Sequence, residues 1–266
     1  MQAGLVQPKK KFIMFESSRV KIKRANKHIS DFNELVKAFV QTDFCSFNIQ
    51  KDLNTGQNVL QFNMTREAPV DLALILGDSI HNLRSALDHA YVELLTLIGK
   101  KSTKWSLFKI YENRDELVNT LSHGILKGED DIVSMLADNI GAHKGGDALL
   151  CALHFLDISD KHMLLIPVFG IAHLNHVDAD IVMGKTTITM RDCTFGVGQG
   201  GILNLIETPA TSEMSIKSKG QPSFGMFFGK GTGLEGQLIG PTLTKFTQLV
   251  GHILEIFERE VASRNV

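Results

Sequence analysis

The period of the apolar residues changes twice along this chain, and that change limits the fold more than any single motif does. In the first part, apolar residues recur at helical spacing; from Phe15 to Val40, Val20, Ile22, Ile29, Phe32, Leu35, Val36 and Phe39 alternate with charges and predict an amphipathic helix. From 168 to 240 the pattern turns to β-branched runs broken by glycine: "TTITMRDCTF", "GILNLIET", "EMSIKSK" and "SFGMFFG". Such runs predict antiparallel strands joined by exposed turns. After Pro241, a helix-start signal, "TLTKFTQLVGHILEIFEREVA" returns to the helical period. The chain therefore reads as α+β. A helical-bundle body with a β-hairpin insertion is followed by an antiparallel sheet and a closing C-terminal helix.

Residues 1–167 are expected to form the helical body with the hairpin at 44–64, 168–240 the β region, and 241–266 a helix packing back on the body as one integrated unit. In the hairpin, "DFCSFNIQKDLNTGQNVLQFNM" holds two alternating runs around Asn54, Thr55 and Gly56, with Gly56 free to take the positive φ of a tight turn. Pro69 and Asp71 open a second helix that Gly99 ends. A short helix is expected around 115–121 in an otherwise irregular stretch, and another over 130–139. Asp147 is a natural N-cap for "ALLCALHFLDISDKH", and Pro167 closes the helical half.

The second helix carries the chemistry. Leu76, Ile80, Leu83, Leu87, Ala90, Leu94 and Ile98 share one stripe, while Asp78, His81, Asn82, Ser85, Asp88 and His89 fall opposite, with Arg84 at the border. A solvent-facing surface would favour Lys and Glu. The short, strongly hydrogen-bonding side chains of "HNLRSALDH" are the kind used inside clefts. A second polar cluster, "DISDKH", gathers Asp157, Asp160, Lys161 and His162 at a helix end. The two clusters could satisfy each other as a structural network fixing helix register.

A catalytic reading competes with that one. Arg84 and His89 have the spacing R-x4-H. Metal-independent RNA cleavage needs an acid or base near neutral pH, which His supplies, and a cation for the developing phosphate charge, which Arg supplies. The R-x4-H helix inside a helical body resembles the HEPN superfamily of nucleotide-binding and RNA-cleaving domains, over at most residues 15–165. The resemblance implies Arg84 and His89 as the catalytic pair, positioned by Asn82 and Asp88 and supported by Asp78, His81, Asp160 and His162. It also implies RNA or a nucleotide as partner, no cofactor, and a homodimer with the site at the pairing interface. "GDSIHNLRSALDH" followed by "DISDKH" resembles a pattern of uncharacterised bacterial proteins as well. On an unbroken helix, residues five apart point about 140° away from each other. Arg84 and His89 can then meet only across a dimer interface or at a local distortion.

Two other readings remain open. Asp78, His81 or Asn82, His89, Asp160 and His162 are acceptable ligands for a metal-dependent hydrolase, although no HExxH is present. Phe195, Phe224, Phe227 and Phe228 among glycines serve either as sheet core or as a surface that binds a partner. "GVGQGG" (196–201) matches G-x-G-x-x-G, but the strand-like "ILNLIETP" follows where a dinucleotide site needs a helix. "GKTT" (184–187) and "GKGT" (229–232) fail as phosphate loops for similar reasons. Cys151, in the apolar "LLCALH", reads as an inert core thiol.

With 266 residues, 43% hydrophobic content and a formal net charge of −1, the chain has an ordinary globular composition and no global charge footprint for nucleic acid or membrane. A local basic run, Lys9, Lys10, Lys11, Arg19, Lys21, Lys23, Arg24 and Lys27, is either a solvated helix face or a nucleic-acid patch. Three scattered cysteines form no disulfide or zinc pattern. With neither a secretory signal nor a membrane-length apolar run in the sequence, a cytoplasmic, membrane-free protein is expected.

Overall fold

The computed structural model describes residues 14–196 and 202–264. Lys9, Lys10 and Lys11 and the 197–201 part of the glycine run lie outside the described residues, as does the side chain of Phe195. The chain is α+β. Helix α1 spans Glu16–Val40, strands β1 and β2 span Cys45–Lys51 and Asn58–Met64, α2 spans Asp71–Leu97 and α3 spans Arg114–His123. Helix α4 (Asp130–Ser134) runs on into a π-wound turn over Met135–Asn139, and α5 covers Ala148–Asp160. Strands β3 (Pro167–Met183), β4 (Thr186–Gly196), β5 (Ile202–Thr208) and β6 (Ser212–Phe228) precede α6 (Ile239–Arg264).

Local chemistry sets most of these boundaries. In the β1–β2 turn the Gly56 N–H donates to the Asp52 carbonyl (2.7 Å) and Gly56 takes φ +69°, which a side chain would resist. At the end of α2, Gly99 has φ +76° and the Lys100 N–H reaches back to the Leu95 carbonyl (2.8 Å), an αL helix stop. Asp147 accepts the Leu150 N–H at 2.7 Å and caps α5 as expected. Helix α5 ends at Asp160, before Pro167, which instead opens β3. The helix expected over 130–139 is α-wound only to Ser134. "GKTT" is a hairpin corner: Met183 pairs with Thr186 across Gly184 and Lys185.

Contacts group the described residues into two compact units, residues 14–24, 82–151 and 247–264 in the first and residues 25–81, 152–196 and 202–246 in the second. The expected segments 1–167, 168–240 and 241–266 follow the chain; these units do not, since their boundary falls inside α1, α2, α5 and α6.

The second unit holds both sheets, ordered β1-β2-β5 and β4-β3-β6. The hairpin continues into a sheet: β2 also pairs with β5, from Asn58 opposite Thr208 to Asn63 opposite Ile202. The runs "EMSIKSK" and "SFGMFFG" are one strand, β6, laid along the length of β3. Phe44, Phe169 and Phe224 lie with ring centroids 4.8–5.4 Å apart, and Phe227 and Phe228 are buried. These aromatics are core. The first unit buries Leu83, Leu87, Ala90 and Leu94 of α2 completely, together with Phe15 and Phe257, whose centroids are 6.1 Å apart.

Candidate functional site

Arg84 belongs to the buried side of α2, with 7% of its surface exposed. An unpaired guanidinium there would be very costly to desolvate. Its partners explain its presence. Nη1 donates to Asp88 Oδ1 at 2.8 Å, one turn along the helix, and Nη2 donates to the Phe108 carbonyl. Asp88 Oδ1 in turn accepts the Phe108 N–H at 2.9 Å. The ion pair therefore grips both backbone polar groups of Phe108. The guanidinium carbon also lies 5.8 Å from the Phe108 ring centroid. This clamp ties the irregular segment after α2 to the helix, which is what the arginine and aspartate of "HNLRSALDH" accomplish.

The segment so held walls a cleft of about 1020 Å³ along α2. Ser85, Asp88, His89, Val92, Glu93 and Thr96 form its floor, and Thr103, Lys104, Ser106 and Leu107 its wall. Glu16 and Ser17 of α1 line it too. His89 is exposed, and among the described residues neither ring nitrogen has a hydrogen-bond partner. Glu93 is fixed: its Oε1 accepts the Phe15 N–H at 2.6 Å, just ahead of α1, where Phe15 holds φ +57°. On the wall turn, Trp105 is 74% exposed and Lys104 Nζ lies 5.0 Å from its ring centroid. Lys101 and Lys109 on the same segment are exposed.

A separate cluster occupies the second unit. Asp157, 2% exposed, accepts from His81 Nδ1 (2.9 Å) on one oxygen and from Lys161 Nζ (2.6 Å) on the other. The His81 ring itself is half exposed. Asp160 packs its carboxylate into the notch left by Gly77 of α2, where an added Cβ would fall 2.4 Å from Oδ2. Its Oδ1 is buried with no hydrogen-bond partner among the described residues. Burial pushes the Asp160 carboxyl up from the usual carboxylate range; the Leu165 N–H opposes this, and the charges of Asp157 and Asp78 add to it.

The expected residues thus fall into two groups. Arg84 and Asp88 meet, with Asn82 half-buried nearby in sequence and His89 on the cleft floor. Asp78, His81, Asp160 and His162 belong to the other unit, where Asp78, His81 and His162 are exposed. Arg84 and His89 are not brought together within one chain: α2 is continuous, Arg84 is buried in the clamp and His89 is exposed. The ligand types considered for a metal do not converge, and among the described residues no group of three or more His, Cys, Asp or Glu is arranged to hold an ion. Cys151 is half-buried and its thiol is pushed up mainly by burial.

The wall 101–109 is the feature that the sequence left without a role. It is signalled by "KKSTKWSLFK", an aromatic set among lysines in a stretch without periodicity. No family model, curated protein or solved structure matches this chain. Among the described residues no helix is long and apolar enough to cross a membrane.

Proposed function

We propose that the cleft on α2 binds a nucleotide or a short single-stranded RNA, with His89 as acid–base group beside the bound ribose or phosphate. The observation that carries this reading is the placement of a histidine, unengaged among the described residues, on the floor of a nucleotide-sized cleft, under a wall that bears Lys104 and the exposed Trp105. Single-stranded nucleic acids are held by cations along the backbone and by aromatic faces that stack bases, and Lys101, Lys104, Lys109 and Trp105 supply both kinds of group. In this reading Arg84 is a positioning residue that fixes the wall, and the cation nearest the phosphate is Lys104. A homodimer, which the HEPN resemblance implies, would add groups from a second copy; light scattering on the purified protein tests it. Three free thiols suit a reducing cytoplasm.

The deciding experiment is cleavage of a fluorescent mixed-sequence RNA, with and without EDTA, by wild type and His89→Ala. EDTA-resistant cleavage lost in the variant is the expected result for a ribonuclease. Quenching of Trp105, the sole tryptophan, by the RNA without cleavage reduces the reading to binding alone. The absence of both cleavage and quenching overturns it.

A further inference from the structure

The charges inside the cleft differ from those on its wall. Three carboxylates line it, Glu16, Asp88 and Glu93, against one lysine. Two of them are immobilised with one oxygen each. Asp88 Oδ1 serves Arg84 and Phe108, and Glu93 Oε1 serves Phe15, so Asp88 Oδ2 and Glu93 Oε2 have no hydrogen-bond partner among the described residues. Asp88 and Glu93 stand about 140° apart around α2, on the two flanks of the face that has His89 between them. Ionised carboxylates only accept hydrogen bonds, and ones already locked in place lose little entropy on meeting a donor. They also repel phosphate.

A nucleotide therefore fits one way round, with its phosphate toward the exposed lysines of the wall and its base against the carboxylates. Resting on the nucleotide reading above, we infer that the cleft selects guanine. Guanine is the common base whose Watson–Crick edge presents two adjacent donors, the N1–H and the N2 amino group, which match one carboxylate. Adenine and cytosine offer an amino group beside an acceptor, and uracil offers a single N–H between two acceptors. Each of these sets a lone pair against Glu93 or Asp88, an arrangement that discriminates by repulsion as well as by lost bonds.

The test is calorimetric titration of the full chain with GMP, AMP, CMP and UMP in EDTA at low salt, repeated with Glu93→Gln. Glutamine keeps a carbonyl for the Phe15 N–H, so the helix start is preserved, but its amide N–H groups oppose those of guanine. GMP is expected to bind at least tenfold more tightly than the other three, and Glu93→Gln to erase that margin by weakening GMP and tightening AMP, whose N1 lone pair then meets an amide N–H in place of a carboxylate. Equal binding of all four by wild type overturns the guanine inference and leaves the nucleotide reading standing. A guanine preference that survives Glu93→Gln overturns the role given to Glu93. Binding of none at millimolar concentration removes both readings.

Discussion

In the Arg84 cluster the guanidinium, one Asp88 oxygen and the Phe108 backbone satisfy one another, whereas in the Asp157–Asp160 cluster one buried carboxylate oxygen has no partner among the described residues. Both clusters engage α2, and both take ionisable groups out of water. The first does so by turning a loop's backbone into a binding partner, which fixes the loop as a side benefit. The second has Asp157 well served by His81 and Lys161, but it presses Asp160 against a glycine, where the Leu165 N–H and the His81 charge offset its burial only in part. A buried charge with full geometry thus acts as a fastener. A buried charge without it is a proton acceptor in waiting, since neutralising it removes the desolvation penalty.

Removing the guanidinium is the severest way to break that contrast. Arg84→Met keeps the aliphatic stem but strands Asp88 and the Phe108 carbonyl, and is expected to cost about 3–5 kcal/mol of unfolding free energy in a urea titration. The clamp account adds a local signature: the anisotropy of the exposed Trp105 should fall, as the wall loosens, before the helices unfold by circular dichroism. A loss below about 1 kcal/mol with Trp105 unchanged would mean that the wall is held by something else. In the other cluster, Gly77→Ala puts a methyl where the Asp160 carboxylate sits and should destabilise by about 1–3 kcal/mol. Adding Asp160→Ala vacates the notch, so the double variant should recover most of that loss. A strictly additive pair would show that the two residues do not compete for the same space.

Period and capping made most of the elements legible: α1, α2 and its stop at Gly99, the hairpin around Gly56 and the start of α5 are all local, and local chemistry is written in adjacent residues. The β3 strand was harder to see, because His173, Asn175, His176, Asp178 and Asp180 interrupt its apolar run and bulges shift its register with β4. The pairing of β2 with β5, more than a hundred residues apart, has no signature in either strand alone. At the site, the segregated polar face of α2 announced that something other than solvent lay against it. What lay there was invisible: Arg84 is answered by the Phe108 carbonyl and Asp88 by the Phe108 N–H, and backbone groups are the same at every residue. His89 was picked out by its spacing from Arg84, yet its surroundings in the structure are Asp88, Glu93 and the 103–107 wall, brought up by a segment with no period to read.

The gentlest perturbation is of charge alone. Asp160 is raised in the folded protein, so folding favours its protonated form and the native state binds more protons than the unfolded chain above the ordinary aspartate range. Stability from this group is then fully present at acid pH and falls as pH rises from the unfolded value through the raised folded one. Asp160→Asn removes that dependence while nearly preserving shape. The variant should therefore be more stable than wild type at pH 7, and the two should converge as the pH is lowered through the carboxylate range; thermal melts at pH 7, 5.5 and 4 measure it. If the variant is the less stable at pH 7, the unpartnered oxygen is in fact served by a bound water or cation that the amide cannot replace, and the contrast between the two clusters disappears.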